Sequence, residues 1–452
     1  MLHLLSSTLL RSWLWFALSV LLLASVMALL LVFLKLPVLP SGWPLQNWFS
    51  RVLVLHVDLS ILVWALSMVS LMWLTHLPGG ARWLDSLAVW LLFGSGVGIL
   101  LSIFLHQGQA VLSNYIPVLD APLYLSSLGV FVLAVVLVAV PRLAAYQRIW
   151  NAGLLPQEMF MLALIALLAT VAVQLISWLR LPELPLTLPQ AELLFWGAGH
   201  SLQAVYLCAL LGGWFYLLQR TGVSLAELLK PVVHRAGVWV MLAVIVVPLI
   251  ISILWAPDDP RYRESFSSWM RLFSLPVLGV MSVLAYQLLW IKRRALTSCV
   301  DWRVVAVGLS MLLFLVGVLL GALIRGDSLL VPAHYHATTG AVNLVFMALV
   351  YDLVSKWLSG RELQTQLTTY AVGVVLMVSG LALSGLMGVG RKLAGSDQLL
   401  HSAPEWLAMV LMGGGGALGL FASFWFLAKT LKALTGLYNR PTRVSQLKVT
   451  GS

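Results

Sequence analysis

Cysteine and charge are what this sequence has least of. Two cysteines occur in 452 residues, Cys208 and Cys299, and they form neither a CxxC nor a CxxCH pattern. Their spacing excludes a disulfide framework, a thiolate metal site and thioether-linked c-type haem. Cys208, in a stretch of small residues, reads as a packing residue. Charged residues are 10% of the chain against 61% hydrophobic, and the mean hydropathy is +0.98. A soluble domain must keep a polar surface and cannot be this apolar. Acidic residues are scarcer than basic ones, 16 against 27, for a net charge of +11. Such a balance raises a nucleic-acid partner, but the cations sit in short loops between apolar runs. Membrane topology accounts for them, and no nucleic acid is expected.

The apolar runs predict twelve transmembrane helices at roughly 12–34, 52–75, 84–105, 119–141, 156–179, 192–218, 237–255, 272–291, 304–324, 332–355, 367–390 and 406–428. The 20 tryptophans cluster near the ends of these runs, as interfacial belts do. The first run is too long for a signal-peptide core and lacks a small-residue cleavage site, so it reads as a retained span. Connections are short and marked by Pro and Gly, as at Pro78-Gly79-Gly80 and Asp258-Asp259-Pro260. No soluble domain fits between them. The fold class expected is an all-α membrane bundle forming one domain over 1–452, with a cytoplasmic tail from about 430.

With the amino terminus in the cytoplasm, 18 of the 27 Lys and Arg fall on the inner side. The opposite orientation inverts that ratio, so both termini are expected inside. The glycine-rich stretches at 94–98 and 413–416 lie within spans three and twelve. A phosphate loop needs a water-exposed turn, so close helix packing is their expected role.

Nine histidines are present. His3 is terminal, His76 and His234 lie at inner ends, and His106 and His401 lie at outer ends or loops. His56, His200, His334 and His336 remain. Each falls within the first turn or two of a span entered from outside, so by helical rise their depths agree to about one turn. A single intramembrane histidine reads equally well as a hydrogen-bonded core residue or a proton relay. Four in one layer favour ligation. His334 and His336 are two residues apart, about 200° around a helix axis, and point to opposite sides. They cannot chelate one metal together, but they suit a helix that supplies one axial ligand to each of two haems.

These residues resemble subunit I of the haem-copper oxidase superfamily, which includes terminal oxidases and nitric oxide reductases. The likeness runs through all twelve spans, and its strongest piece is HYHATTGAVNLVFMALVYDL at 334–353. The resemblance implies that His334 ligates the high-spin, catalytic haem and His336 the low-spin haem. RVLVLHVDLSILVWAL at 51–66 resembles the second helix, which makes His56 the other low-spin ligand. A bis-histidine iron has no open position and suits electron transfer. FWGAGHSLQAVY at 195–206 is similar to the sixth helix, whose histidine serves the copper centre; His200 fills that place. NYIPVLDAP at 114–122 is loosely similar to a loop of nitric oxide reductases and cbb-type oxidases. Arg391-Lys392 resembles the basic pair that binds haem propionates, and cations there would neutralise carboxylates.

The sequence also departs from that pattern. The family's helix seven carries two adjacent histidines that complete a three-histidine copper site, and span seven, GVWVMLAVIVVPLIISILW, has none. His234 precedes it at the wrong end, about 27 Å of helix from the layer. One imidazole is a poor copper site. The tyrosine that some oxidases carry four residues after the sixth-helix histidine is Ala204 here, with Tyr206 at a different angle. A glutamate many carry two residues after it is Leu202. Glu158 and Asp352, near the inner ends, read as solvated rather than as a proton path. The expected cofactors are two haems of b or related type. The expected function is electron transfer with O2 or NO reduction at the high-spin haem; the alternative is a copper-less dihaem conduit, gas sensor or assembly protein. A histidine-relay transporter is a third possibility and would hold no haem. Electrons would come from quinol or from a cytochrome or cupredoxin on a separate subunit. Lipid and companion membrane subunits complete the expected partners, in a bacterial inner membrane.

Overall fold

In lipid each backbone N–H and C=O must find its partner within its own segment, so long apolar runs fold as helices. In the computed structural model, residues 7–34, 48–105, 108–224, 231–288, 301–354, 358–390 and 402–438 are described. Among them twelve helices are long and apolar enough to cross a membrane: α1 (Thr8–Leu34), α2 (Phe49–His76), α3 (Arg82–Phe104), α4 (Pro122–Ala152), α5 (Leu155–Arg180), α6 (Leu188–Arg220), α7 (Val232–Leu254), α8 (Pro260–Tyr286), α9 (Trp302–Leu323), α10 (Leu330–Val354), α11 (Gly360–Leu386) and α12 (Ala403–Thr435). The chain is an all-α polytopic membrane protein. Between α3 and α4 two short strands, β1 (Ala110–Val111) and β2 (Val118–Leu119), pair as an antiparallel hairpin.

Even-numbered helices all run the same way, so α2, α6 and α10 enter from one face, called here the site face. They are also the most enclosed, with 72%, 89% and 78% of their apolar windows buried, against 28% for α3 and α8. A helix that is apolar all round belongs in the centre, and these three form it.

Two boundaries differ most from the hydropathy reading. Helix α8 begins at Pro260 rather than near 272, because its first part, Pro260–Phe273, is amphipathic and does not score as apolar. Its Tyr262, Phe266, Trp269 and Phe273 are spaced four, three and four apart, make one buried stripe, and leave Arg261, Arg263 and Glu264 exposed. Helix α4 runs on past 141 because Pro141 is absorbed in a 3-10 turn, Val140–Ala145, rather than ending the helix.

The glycine stretches let helices touch. A Cβ on Gly415 would lie 2.2 Å from the Met377 backbone N, and one on Gly373 would lie 2.4 Å from that of Gly419. Helices α11 and α12 therefore meet backbone to backbone. On α3, Gly96 faces the Phe16 ring and Gly98 faces Ser127.

The face opposite the site is pinned by buried ion pairs. Arg142 holds Asp85 at 3.0 Å, joining α4 to α3. Glu158 on α5 is only 3% exposed and is bonded by His234 and, at 3.6 Å, by Arg235 of α7. Asp352 on α10 is 2% exposed and takes Arg303 of α9, Arg220 of α6 at 3.2 Å and the Tyr216 hydroxyl at 2.9 Å. The expectation that Glu158 and Asp352 are solvated is thus overturned. Asp352 has two guanidinium donors and a hydroxyl on neighbouring helices, and Glu158 has His234 with Arg235 nearby, partners that offset the cost of carrying a carboxylate inside. His76, provisionally an interfacial residue, is wedged against the Phe160 and Tyr216 rings at 5.0 and 4.5 Å.

Candidate cofactor site

A cavity of about 1250 Å³ opens within the site-face half of the bundle. That exceeds the range of roughly 300–1,000 Å³ usual for small-ligand pockets. His56, His200, His334 and His336 all line it. It wraps α10. On one side its walls are α1, α2, α11 and α12, through residues such as Ala24, Ser60, Met377 and Gly416. On the other they are α6, α8 and α9, through residues such as Gln203, Met270, Phe314 and Gly321.

The imidazoles share one feature of orientation. The Nδ1 of His56 lies 3.1 Å from the Ala24 carbonyl of α1, that of His334 2.7 Å from the Gly317 carbonyl of α9, and that of His336 2.7 Å from the Pro332 carbonyl of its own helix. A carbonyl only accepts, so Nδ1 is the protonated nitrogen, and in the neutral ring Nε2 carries the lone pair. That is the arrangement by which proteins fix a ligating histidine in one tautomer and one direction.

His200 has the same Nδ1 bond, 2.6 Å to the Trp196 carbonyl, but its Nε2 is 2.8 Å from the Tyr115 hydroxyl. With Nδ1 protonated, Tyr115 donates and His200 accepts. The rings around it are Tyr115 at 4.2 Å, Trp196 at 4.7 Å and Phe266 at 5.5 Å. Phe266 comes from the amphipathic start of α8. Among the described residues no three or more His, Cys, Asp or Glu come together as a metal ion would require.

Glycines make the fit. A Cβ at Gly199 would sit 2.3 Å from that of Tyr115, so only glycine lets the tyrosine reach His200. A Cβ at Gly321 would sit 2.7 Å from the His334 Nδ1. Gly413 lines the cavity with nothing within 4 Å of where its Cβ would be, so open space adjoins the helix there. Imidazoles with Nδ1 held by carbonyls, glycine along the walls, and a lining whose Lys, Arg, Asp and Glu, among the described residues, are Arg271 and Asp327 suit a large apolar macrocycle with a few acidic substituents.

Sequence reasoning named the four histidines but missed Tyr115, whose partner is 85 positions away. The NYIPVLDAP segment carried the signal, without a partner. Tyr206 also lines the cavity, and its hydroxyl donates to the Ile61 carbonyl of α2. Arg391, Lys392 and Cys299 lie outside the described residues.

With this geometry in view, comparison with known proteins gives the class. The chain has the fold of a solved haem-copper terminal oxidase, with a TM-score of 0.70, 17% sequence identity, and coverage of 96% of this chain and 84% of that one. No family model matches it. In sequence it is 24% identical, over an alignment of 503 residues, to the uncharacterized protein RP382 of Rickettsia prowazekii (strain Madrid E), covering 96% of this chain and 98% of that protein. It is 25% identical over 340 residues to an uncharacterized protein of Aquifex aeolicus (strain VF5), covering 75% and 83%. The molecule is a twelve-helix membrane protein with an oxidase-like fold.

Proposed function

We propose that the chain is a dihaem oxidoreductase subunit that moves electrons within a bacterial cytoplasmic membrane, with the histidine layer toward the outer face. His56 and His336 would together hold a low-spin haem, and His334 would hold a second, high-spin haem. The observation that carries the reading is the set of three imidazoles, each with Nδ1 committed to a carbonyl, lining one cavity on both sides of α10. When bound, the haems supply one-electron chemistry and an open iron position for O2 or NO.

The chain's own contribution is placement. The carbonyls of Ala24, Gly317 and Pro332 hold the rings in the tautomer that leaves Nε2 to ligate. The apolar walls exclude water, and α10 sets a short path between the two centres. Arg271 on the cavity wall is a cation available to propionates, and the family resemblance adds Arg391 and Lys392. Electrons would come from quinol or from a partner cytochrome or cupredoxin.

A second reading, a copper-less dihaem conduit or gas sensor, is favoured by one specific observation. Tyr115 takes the His200 Nε2 that a copper ion would need, and Trp196 and Phe266 fill the neighbouring ring positions. Iron and copper quantified per chain, with carbon monoxide added to the reduced protein, separate the readings. Two irons and a carbon monoxide shift with turnover of O2 or NO support the reductase. The same irons without copper or turnover support the conduit, and no Soret band removes both.

A further inference from the structure

Helix α2 is not a plain α-helix. Residues Asp58–Trp64 form a π-helical turn that begins two residues after His56. A π-turn is an extra residue inserted into an α-helix, and such turns are rare and concentrate at functional sites. At 3.6 residues per turn, one extra residue rotates everything on one side of it by about 100° relative to the other side. Past the turn the helix cannot rotate, because every residue from 65 to 73 is buried. The insertion therefore decides where His56 points.

The direction it selects can be worked out. Trp64 is eight residues after His56; less the inserted one, seven remain, which is within about 20° of two full turns. His56 and Trp64 thus share a face of α2. Without the insertion they would stand about 80° apart. On α10, Asn343 is seven residues after His336 and shares its face by the same arithmetic. The two helices run in the same direction, and the Trp64 Nε1 donates to the Asn343 Oδ1 at 3.0 Å. A polar rung joins α2 and α10 directly below the level at which the same two faces carry His56 and His336.

The strained turn is held by side chains. Ser60 Oγ bonds the His56 carbonyl at 2.6 Å and the Val57 carbonyl at 3.2 Å. The Tyr206 hydroxyl of α6 takes the Ile61 carbonyl, and the Tyr124 hydroxyl of α4 bonds Asp58 at 2.6 Å. Three neighbouring helices grip one turn of α2.

We infer that this π-turn and the Trp64–Asn343 rung together set the facing of His56 and His336, which makes Trp64, Asn343 and Tyr206 positioning residues for the pair. The inference rests on the proposed ligation by that pair. A bulge that costs backbone hydrogen bonds persists only where something over-determines it, and here the gain is two imidazoles at matched height.

The test uses the purified full-length holoprotein, with the low-spin electron paramagnetic resonance signal and the carbon monoxide adduct as independent readouts. Inserting one alanine between Leu62 and Val63 turns the His56 end of α2 by about 100° relative to Trp64 and should abolish the bis-imidazole signal while the carbon monoxide adduct on the His334 side survives. Asn343→Leu should shift the low-spin g-values and Tyr206→Phe should broaden them, whereas Asn343→Asp, which keeps the acceptor oxygen, should return wild-type values. If the insertion variant does not fold, the Asn343 pair decides. A folded insertion variant with an unchanged signal, or Asn343→Leu indistinguishable from wild type, overturns the inference. Wild-type protein that binds haem without any bis-imidazole signal instead removes the ligand assignment, and the inference falls with it.

Discussion

The two sides of α10 present the same residue type and do opposite things with it. On the α2 side, the cavity carries His56 and His336 with residues of α1, α11 and α12, and a polar rung two turns below joins α2 to α10. On the α6 side, His200 lines the same cavity as His334, but the His200 Nε2 is occupied by Tyr115. On the proposed ligation, the first side would close both faces of a flat cofactor. The second would leave one face open, near the hydrogen-bonded Tyr115. A single two-residue step along one helix, His334 to His336, creates both environments because it turns the ring by about 200°.

The comparison is broken most sharply by removing one histidine at a time. His336→Ala should abolish the low-spin optical and electron paramagnetic resonance signals while the reduced protein still binds carbon monoxide. His334→Ala should do the reverse, losing the carbon monoxide adduct with the low-spin signal intact. Loss of both signals in either variant would show that the compartments are not independent.

The opposite face supplies a control with a large effect on stability and none on spectra. Asp352→Ala leaves Arg303 and Arg220 facing each other without their shared carboxylate, and breaking a buried pair costs about 3–5 kcal/mol. Thermal unfolding in detergent should fall accordingly, with haem signals unchanged in the protein that remains folded.

Much of this was legible in the sequence. Twelve apolar runs gave the helices, since lipid permits little else, and the HYH step at 334–336 gave the two-sided helix. The start of α8 was not legible from hydropathy, because an amphipathic segment averages to polar while still burying Phe266 against His200. The solvated reading of Asp352 failed for a related reason. Its partners Arg220 and Arg303 are 132 and 49 positions away, and only packing reveals that they meet. Tyr115 and the π-turn of α2 were likewise invisible, one being a contact between distant segments and the other a register shift that leaves composition untouched.

Smaller substitutions sharpen the contrast between the compartments. Gly321→Ala places a methyl group against the His334 ring and should cost about 1–3 kcal/mol of stability, as overpacking does. It should also perturb the carbon monoxide stretching frequency without moving the low-spin signal. Tyr115→Phe leaves the buried His200 Nε2 without its donor and should cost about 1 kcal/mol. Thermal unfolding reads that loss, and the His56–His336 side should again be silent.

The central claim is that α10 stands between two haems. Iron per chain, measured alongside the optical spectrum of the purified protein in oxidised, reduced and carbon monoxide-treated forms, tests it most directly. The account predicts two haem irons per chain, one low-spin and indifferent to carbon monoxide, the other high-spin and shifted by it. A single iron, two irons of one spin state, or no Soret absorption would contradict it.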